Sequence, residues 1–427
     1  MEKITLNNLD EYIYHDVTDE GLNIYMWVNK KVKNFYMTLN TKYGSIHTEF
    51  KLKDSKNYIK VPNGIAHFLE HLMFYQPDNT TAHEYFTKLG AQINACTTND
   101  FTFYEVFSSS YFKENLNYLL DYVYTPYYTK ENIKTERGII TEEIKMYEDH
   151  PNAQLIFKTH ECLWHKDKRK YLISGTVDDI KHITSDDLYT VYNNFYHPKN
   201  MFLVITGNFN PYEASAIIKE NLKKKEFEEY QKPQIKEEKE PNKVVNKYYE
   251  QEANVEIPKL KFAVKLPISA FKNYKKDELK LYLSIILKTN FGITSKIHEE
   301  LFNNNIITSS LGYGASIYDT HCILTITAES NYVDEVINKI QETFENLNID
   351  EKTLNRRKKV LISSLVLSYD DIEEVNSLIQ DNILDNNDIT TDLFETINSL
   401  NMDDITTIIN KINLANKTIV LFRPASK

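Results

Sequence analysis

His67 and His71 stand four residues apart with Glu70 between them, in the run His67-Phe68-Leu69-Glu70-His71. On an α-helix that spacing stacks the imidazoles on one face, so both can aim a ring nitrogen at a single ion. Zinc binds neutral imidazole at about 2.0–2.1 Å, and hydrolytic sites keep one position open for water. Glu70 lies beside such an ion rather than behind it, the place of a general base that takes the water's proton. The order is H-x-x-E-H, the inverse of the commoner H-E-x-x-H. Two histidines rarely hold catalytic zinc alone, so a third protein ligand is required. Glu143, 72 residues beyond His71, is the candidate, with the adjacent Glu142 a competitor on spacing. Glu136 precedes Glu143 by two helical turns on the same face. It is the candidate to accept a hydrogen bond from a ligand histidine and fix its tautomer. The plain alternative is a pair of ordinary helix histidines and acids on a solvated face. His83, His150, His160, His165 and His197 have no ligand-like spacing to one another.

The elements that must position these groups can be read from their neighbours. Ile65, Phe68, Leu69, Leu72, Met73 and Phe74 surround Glu70 and predict a largely buried helix opening near Pro62-Asn63-Gly64. The run Glu136 to Tyr147 predicts a second helix, with Ile140 and Ile144 beside the two acids. Acids on an apolar stripe are costly to bury unless they are paired or bound to metal. An alternating run, Phe101 to Phe107, leads through serines into the amphipathic segment Phe112 to Leu120. Cys322 to Ala328 leads in the same way into Val333 to Ile340, a recurrence that hints at two related halves. Between them, residues 222–247 are charged, carry Pro233 and Pro241, and lack apolar periodicity. The expected organisation is therefore residues 1–221, a linker at 222–247 and residues 248–427, with an α+β fold of sheets flanked by helices.

The 427 residues, 41% hydrophobic, are ample for more than one domain. No window approaches about 18 consecutive apolar residues, which argues against a membrane span. The first ten residues hold no apolar run of the secretory kind. The three cysteines, Cys96, Cys162 and Cys322, form no C-x-x-C pair, and the expectation is reduced thiols in a cytoplasmic chain. A net charge of −11 argues against nucleic acid or an anionic membrane as partner.

Gly64-Ile65-Ala66-His67-Phe68-Leu69-Glu70-His71-Leu72-Met73-Phe74 closely resembles the zinc helix of the pitrilysin/insulinase metallopeptidases. The likeness continues in order. Gly90-Ala91, then Asn94-Ala95-Cys96-Thr97 with Thr102 and Tyr104, looks like the family's substrate-binding edge strand. Glu136-Arg137-Gly138-Ile139-Ile140 through Glu143-Ile144 resembles the helix bearing its distal zinc glutamate. Ser174-Gly175-Thr176, Tyr196-His197-Pro198-Lys199-Asn200-Met201 and Gly207-Asn208 resemble the end of its first domain. The resemblance is strong over residues 20–215 and weaker beyond. It implies two homologous domains, each a mostly antiparallel sheet flanked by helices, in a half-clamshell. It also implies one Zn2+ per chain, held by His67, His71 and Glu143, and an endopeptidase chamber that admits peptides or unfolded segments. The substrate would add a strand along Asn94, Ala95, Cys96 and Thr97.

Many members also carry an Arg and a Tyr in the second half, within S-x-L-x-x-x-L-R-x-x-x-G-L-A-Y, which bind the substrate carbonyl and stabilise the oxyanion. The matching segment, Ser295 to Ser309, has Phe302 at the Arg position and Ser309 at the Tyr position, with Tyr313 nearby. A chain with the zinc motif and without that pair resembles the bacterial subgroup of paired subunits. The implied partner is a homologous, zinc-less subunit supplying the Arg/Tyr pair, and the implied role is maturation or degradation of small peptides. A homodimer, and a non-proteolytic binding or assembly subunit that keeps the fold, are the other readings.

Overall fold

Seven strands build the first sheet: β1 (Glu2–Leu6), β2 (Glu11–Val17), β3 (Asn23–Val28), β4 (Phe35–Thr41), β7 (Gln92–Thr97), β8 (Thr102–Ser108) and β9 (Met201–Gly207). Their spatial order is β1-β2-β3-β9-β4-β8-β7, and only β3 and β9 run parallel. A small three-stranded sheet joins β5 (Glu49–Lys51), β6 (Ile59–Lys60) and β10 (Gln234–Ile235). The computed structural model describes residues 1–53, 55–78 and 80–425. Among them the chain divides into unit 1 (Met1–Ile144, Leu172–Glu237, Leu365–Leu393) and unit 2 (Lys145–Tyr171, Glu238–Ser364, Phe394–Lys427).

Every residue of β4 and β9 is buried. Both sheet faces are covered there, which is why FYMTLNT and MFLVITG lack polar alternation. One face packs on the helix α1 (Ile65–Leu72) and its neighbours in the main core. The other receives the helix Ile372–Asn386, whose Ile372, Val375, Ile379 and Ile383 pack in one cluster with Tyr25, Trp27, Tyr36, Phe202 and Val204.

Unit 2 has five strands: β11 (Tyr248–Ala253), β12 (Lys259–Pro267), β13 (Gly312–Ile317), β14 (His321–Glu329) and β15 (Lys417–Pro424). Their order is β11-β15-β12-β14-β13, again with one parallel pair, β11 and β15. This reproduces β3-β9-β4-β8-β7 strand for strand, in the same chain order. The recurrence at 101–120 and 322–340 falls on equivalent places. β8 leads into the helix Phe112–Val123, and β14 into Val333–Glu345. The two-domain α+β expectation therefore holds.

The sequence division at 222–247 does not coincide with the units. Lys145–Tyr171 groups with unit 2, and Leu365–Leu393 with unit 1. Nor is the charged stretch a solvated spacer, because Gln234–Ile235 pairs with β5. In unit 2, Glu240 is only 7% exposed. It accepts backbone N–H bonds from His165, Lys166 and Asp167 and pairs with the fully buried Lys265 at 2.5 Å. No helix of the described residues is long and apolar enough to cross a membrane.

Candidate metal centre

α1 starts where it does because of a glycine. Gly64 has φ of 80°, and a Cβ there would meet the Ser174 carbonyl oxygen at 2.2 Å. Only glycine allows that left-handed turn and that close approach together. The helix then buries Ile65, Ala66, Phe68, Leu69 and Leu72, which turns His67 and His71 to a half-buried face. The second helix, α2 (Lys130–Glu148), buries Ile133, Glu136, Ile140 and Ile144, a stripe at helical spacing. Glu143, seven residues after Glu136, lies beside that stripe and is half-buried.

The two helices bring the expected groups together. Glu143 Oε1 is 3.6 Å from His67 Nε2, and Glu143 Oε2 is 3.5 Å from His71 Nε2. Two donors about 2.1 Å from one tetrahedral ion stand about 3.4 Å apart, so the three groups fit zinc. Among the described residues this is the one group of three His, Cys, Asp or Glu side chains whose ligand atoms converge in this way. The structure thus favours Glu143 over Glu142 as the third donor. Glu136 sits on the far side of His71 and accepts from its Nδ1 at 3.0 Å, leaving Nε2 for the ion. Tyr75 donates to the other Glu136 oxygen at 2.7 Å. Burial, helped by His71, pushes His67 down to about 4, so it is neutral at neutral pH. Burial opposes charge on His71 as well, but hydrogen bonds to Glu136 and Glu143 outweigh it and push the ring up to about 9. Metal binding there must release a proton.

Glu70, which interacts electrostatically with His71 and Glu143, reaches toward β7. It is buried, and its Oε2 accepts a hydrogen bond from Thr97 Oγ1 at 2.7 Å. Burial raises its pKa and the Thr97 bond opposes the rise, a balance suited to a carboxylate that takes up and passes on protons. β7 itself is the outermost strand, with no strand beyond it among the described residues. Asn94 and Cys96 are exposed on one side of it, while Ala95 and Thr97 face inward. The four expected strand residues therefore divide: the backbone edge is open, but the Thr97 side chain is engaged by Glu70. Tyr75 was missed by sequence reasoning, although its position four residues after His71 was a usable signal.

Residues 55–177 match Insulinase (Peptidase family M16), and residues 182–361 match Peptidase M16 inactive domain. The uncharacterized zinc protease YmfH of Bacillus subtilis (strain 168) is 36% identical over 317 residues, 73% of each chain. The chain belongs to the M16 peptidase family. A second relative, the uncharacterized zinc protease YmxG of the same organism, is 24% identical over 394 residues, covering 85% of this chain and 89% of its own. An M16-like peptidase from Alicyclobacillus acidocaldarius superposes with a TM-score of 0.90 at 24% identity, over 97% of this chain and 98% of that one. Pitrilysin superposes with a TM-score of 0.77 at 14% identity, over all of this chain but only 47% of its own. These two structures attest the M16 fold.

Proposed function

We propose that this chain is the zinc-bearing subunit of an endopeptidase that cleaves extended peptides or unfolded segments inside a chamber. The observation that carries the reading is the convergence of His67, His71 and Glu143 beside a buried carboxylate, Glu70, that is hydrogen-bonded to the open edge strand. The chemistry zinc supplies in such a site is acidification of water and polarisation of a carbonyl. Glu70 takes the water's proton and returns it to the leaving amine. Glu136 holds His71 in the tautomer that presents Nε2. β7 aligns the substrate by main-chain pairing, which recognises extended shape.

The reading includes a partner. In unit 2 the helix Lys296–Asn303 ends with Phe302 51% exposed where relatives of the family carry Arg. Ser309 is exposed and Tyr313 lies on β13. Phe302 puts no guanidinium at that position; Arg357, from another helix, donates to Thr294 Oγ1 at 3.3 Å just before this segment and interacts with Tyr313. We assign oxyanion stabilisation to a homologous, zinc-less subunit with the Arg/Tyr pair in the helix position. That pitrilysin's chain is about twice as long supports an assembly of two such halves. The test is metal content and cleavage of a peptide library by the chain alone and with a homologous, zinc-less chain from the same organism. One zinc per chain is expected, with cleavage only in the pair. Glu70→Gln should keep the zinc and lose about 10²–10⁴-fold in rate. Zinc without cleavage in either sample would overturn the peptidase reading and favour a binding or assembly subunit.

A further inference from the structure

Behind Glu70, inside unit 1, a row of side-chain hydroxyls runs into the core. Thr97 Oγ1, 2.7 Å from Glu70 Oε2, comes first. Thr102 Oγ1 follows, 3.3 Å from Thr97 Oγ1 across the β7–β8 pair. Its one proton has a second possible acceptor, because the Tyr43 carbonyl oxygen lies 2.9 Å away. Thr102 is hydrogen-bonded in turn to the Tyr196 hydroxyl, and that hydroxyl lies 2.9 Å from the hydroxyl of Tyr104. Tyr196 comes from outside the hairpin, immediately after the helix Ser185–Phe195. Thr97, Thr102, Tyr104 and Tyr196 are all buried, and both phenols belong to the main core.

Phe and Val have nearly the shapes of Tyr and Thr, and a core built from them would bury no hydroxyl. Nor does this core pair its phenols as a matter of course. The hydroxyls of Tyr43 and Tyr122 are buried with no hydrogen-bond partner among the described residues. Burial holds Tyr104 and Tyr196 protonated, and the Glu70 carboxylate adds to the rise at each. Glu70 is the one charged group on the row, and it fixes the polarity from its end. An ionised carboxylate only accepts, so Thr97 donates to Glu70, accepts from Thr102, and leaves Thr102 to accept from Tyr196. Hydrogen bonds in such a row polarise one another, which strengthens the last of them.

We propose that Thr102, Tyr196 and Tyr104 are positioning residues for the reaction: their hydroxyls direct the Thr97 proton onto Glu70 Oε2 and fix the carboxylate in the orientation from which it takes the water's proton. Without the Tyr196 hydroxyl, Thr102 turns its proton to the Tyr43 carbonyl, and Thr97 loses its donor. The inference rests on the peptidase reading above.

The test uses the full chain with a homologous, zinc-less chain from the same organism, and one fluorogenic peptide that the pair cleaves. kcat and KM are measured for nearly isosteric variants, at a temperature well below the melting transition of each. Thr102→Val should lower kcat about tenfold with KM and zinc content unchanged, inside the roughly 10²-fold cost of a misplacement near 1 Å. Tyr196→Phe should give a smaller loss of the same kind. Thr102→Ser, which keeps a hydroxyl, should recover most of the rate. Tyr122→Phe, which removes an unpartnered hydroxyl from the same core, should leave kcat at the wild-type value. In Thr97→Val the row is already cut, so adding Tyr196→Phe should lower kcat no further, whereas independent effects would multiply. A change confined to KM, an unchanged kcat in both Thr102→Val and Tyr196→Phe, or losses that multiply in the Thr97→Val background overturns this inference alone. No cleavage by the wild-type chains overturns the peptidase reading and this inference with it.

Discussion

Glu136 touches no ion in the proposed arrangement, yet it determines which nitrogen His71 can offer. Its two oxygens are used by His71 Nδ1 and the Tyr75 hydroxyl, so the carboxylate is held from both sides. Glu136→Gln should therefore weaken zinc binding by about 10–100-fold, measured by competition with a chelator, because the amide can present its N–H₂ to His71. Tyr75→Phe, which removes one of the two supports, should have a smaller effect of the same sign. Thr97→Val makes a different prediction. It removes the donor to a buried carboxylate, a loss of about 1–3 kcal/mol in thermal or denaturant unfolding. Zinc content should stay at one per chain, and Thr97→Ser should restore stability. The sequence showed the pentad and both acids, since their types and spacing carry the chemistry. It could not separate Glu143 from Glu142, which are adjacent. The helix phase does so: Ile133, Glu136, Ile140 and Ile144 face inward, and Glu143 completes that side of α2.

Among the elements, the stretch 222–247 shows where charge misleads. Its acids and lysines read as solvated, and most are exposed, but Glu240 is buried against Lys265. The usable signal was on the other partner. Lys265 interrupts the apolar strand KLKFAVKLP, and a lysine buried in a sheet needs an acid. Its Nζ also donates to the Leu163 carbonyl at 2.9 Å and lies 4.6 Å from the Trp164 ring centroid. Glu240→Gln should cost about 3–5 kcal/mol, because it strands a buried ammonium. The double variant with Lys265→Met should recover much of that loss, since replacing both charges removes both desolvation penalties. The acid dependence has a definite sign. Burial would raise the Glu240 pKa, but Lys265 and three backbone N–H groups outweigh it and hold it at about 2. The carboxylate's contribution is thus complete above the unfolded value of about 4.3 and is lost as pH falls toward about 2. Wild type should lose stability across that window, and the double variant should lose less of it.

At the scale of the whole chain, the repeated strand order was hinted at in the sequence by one strand-to-helix recurrence, but the exchange of segments was not. The helix Ile372–Asn386 follows unit 2's strand β14 by some forty residues, and nothing in its composition says that it belongs to unit 1's sheet. Apolar periodicity gives a face to be buried, not the surface that will bury it. This bears on any attempt to cut the chain at 222–247. A fragment of residues 1–221 would lose the cover over Tyr25, Trp27, Tyr36, Phe202 and Val204, all now buried. At about 1.5–3 kcal/mol for each large side chain, that loss is comparable with the whole stability of an ordinary domain, about 5–15 kcal/mol. The fragment would also carry Lys145–Tyr171 without the unit it packs in. We expect it to aggregate, or to keep far-UV circular dichroism while losing near-UV signal and a cooperative melt. Residues 365–393 added back through a flexible tether should restore cooperativity. A fragment 1–221 that melts as sharply as the full chain would show that the helix contributes little to unit 1, and that the linear division is the true domain boundary.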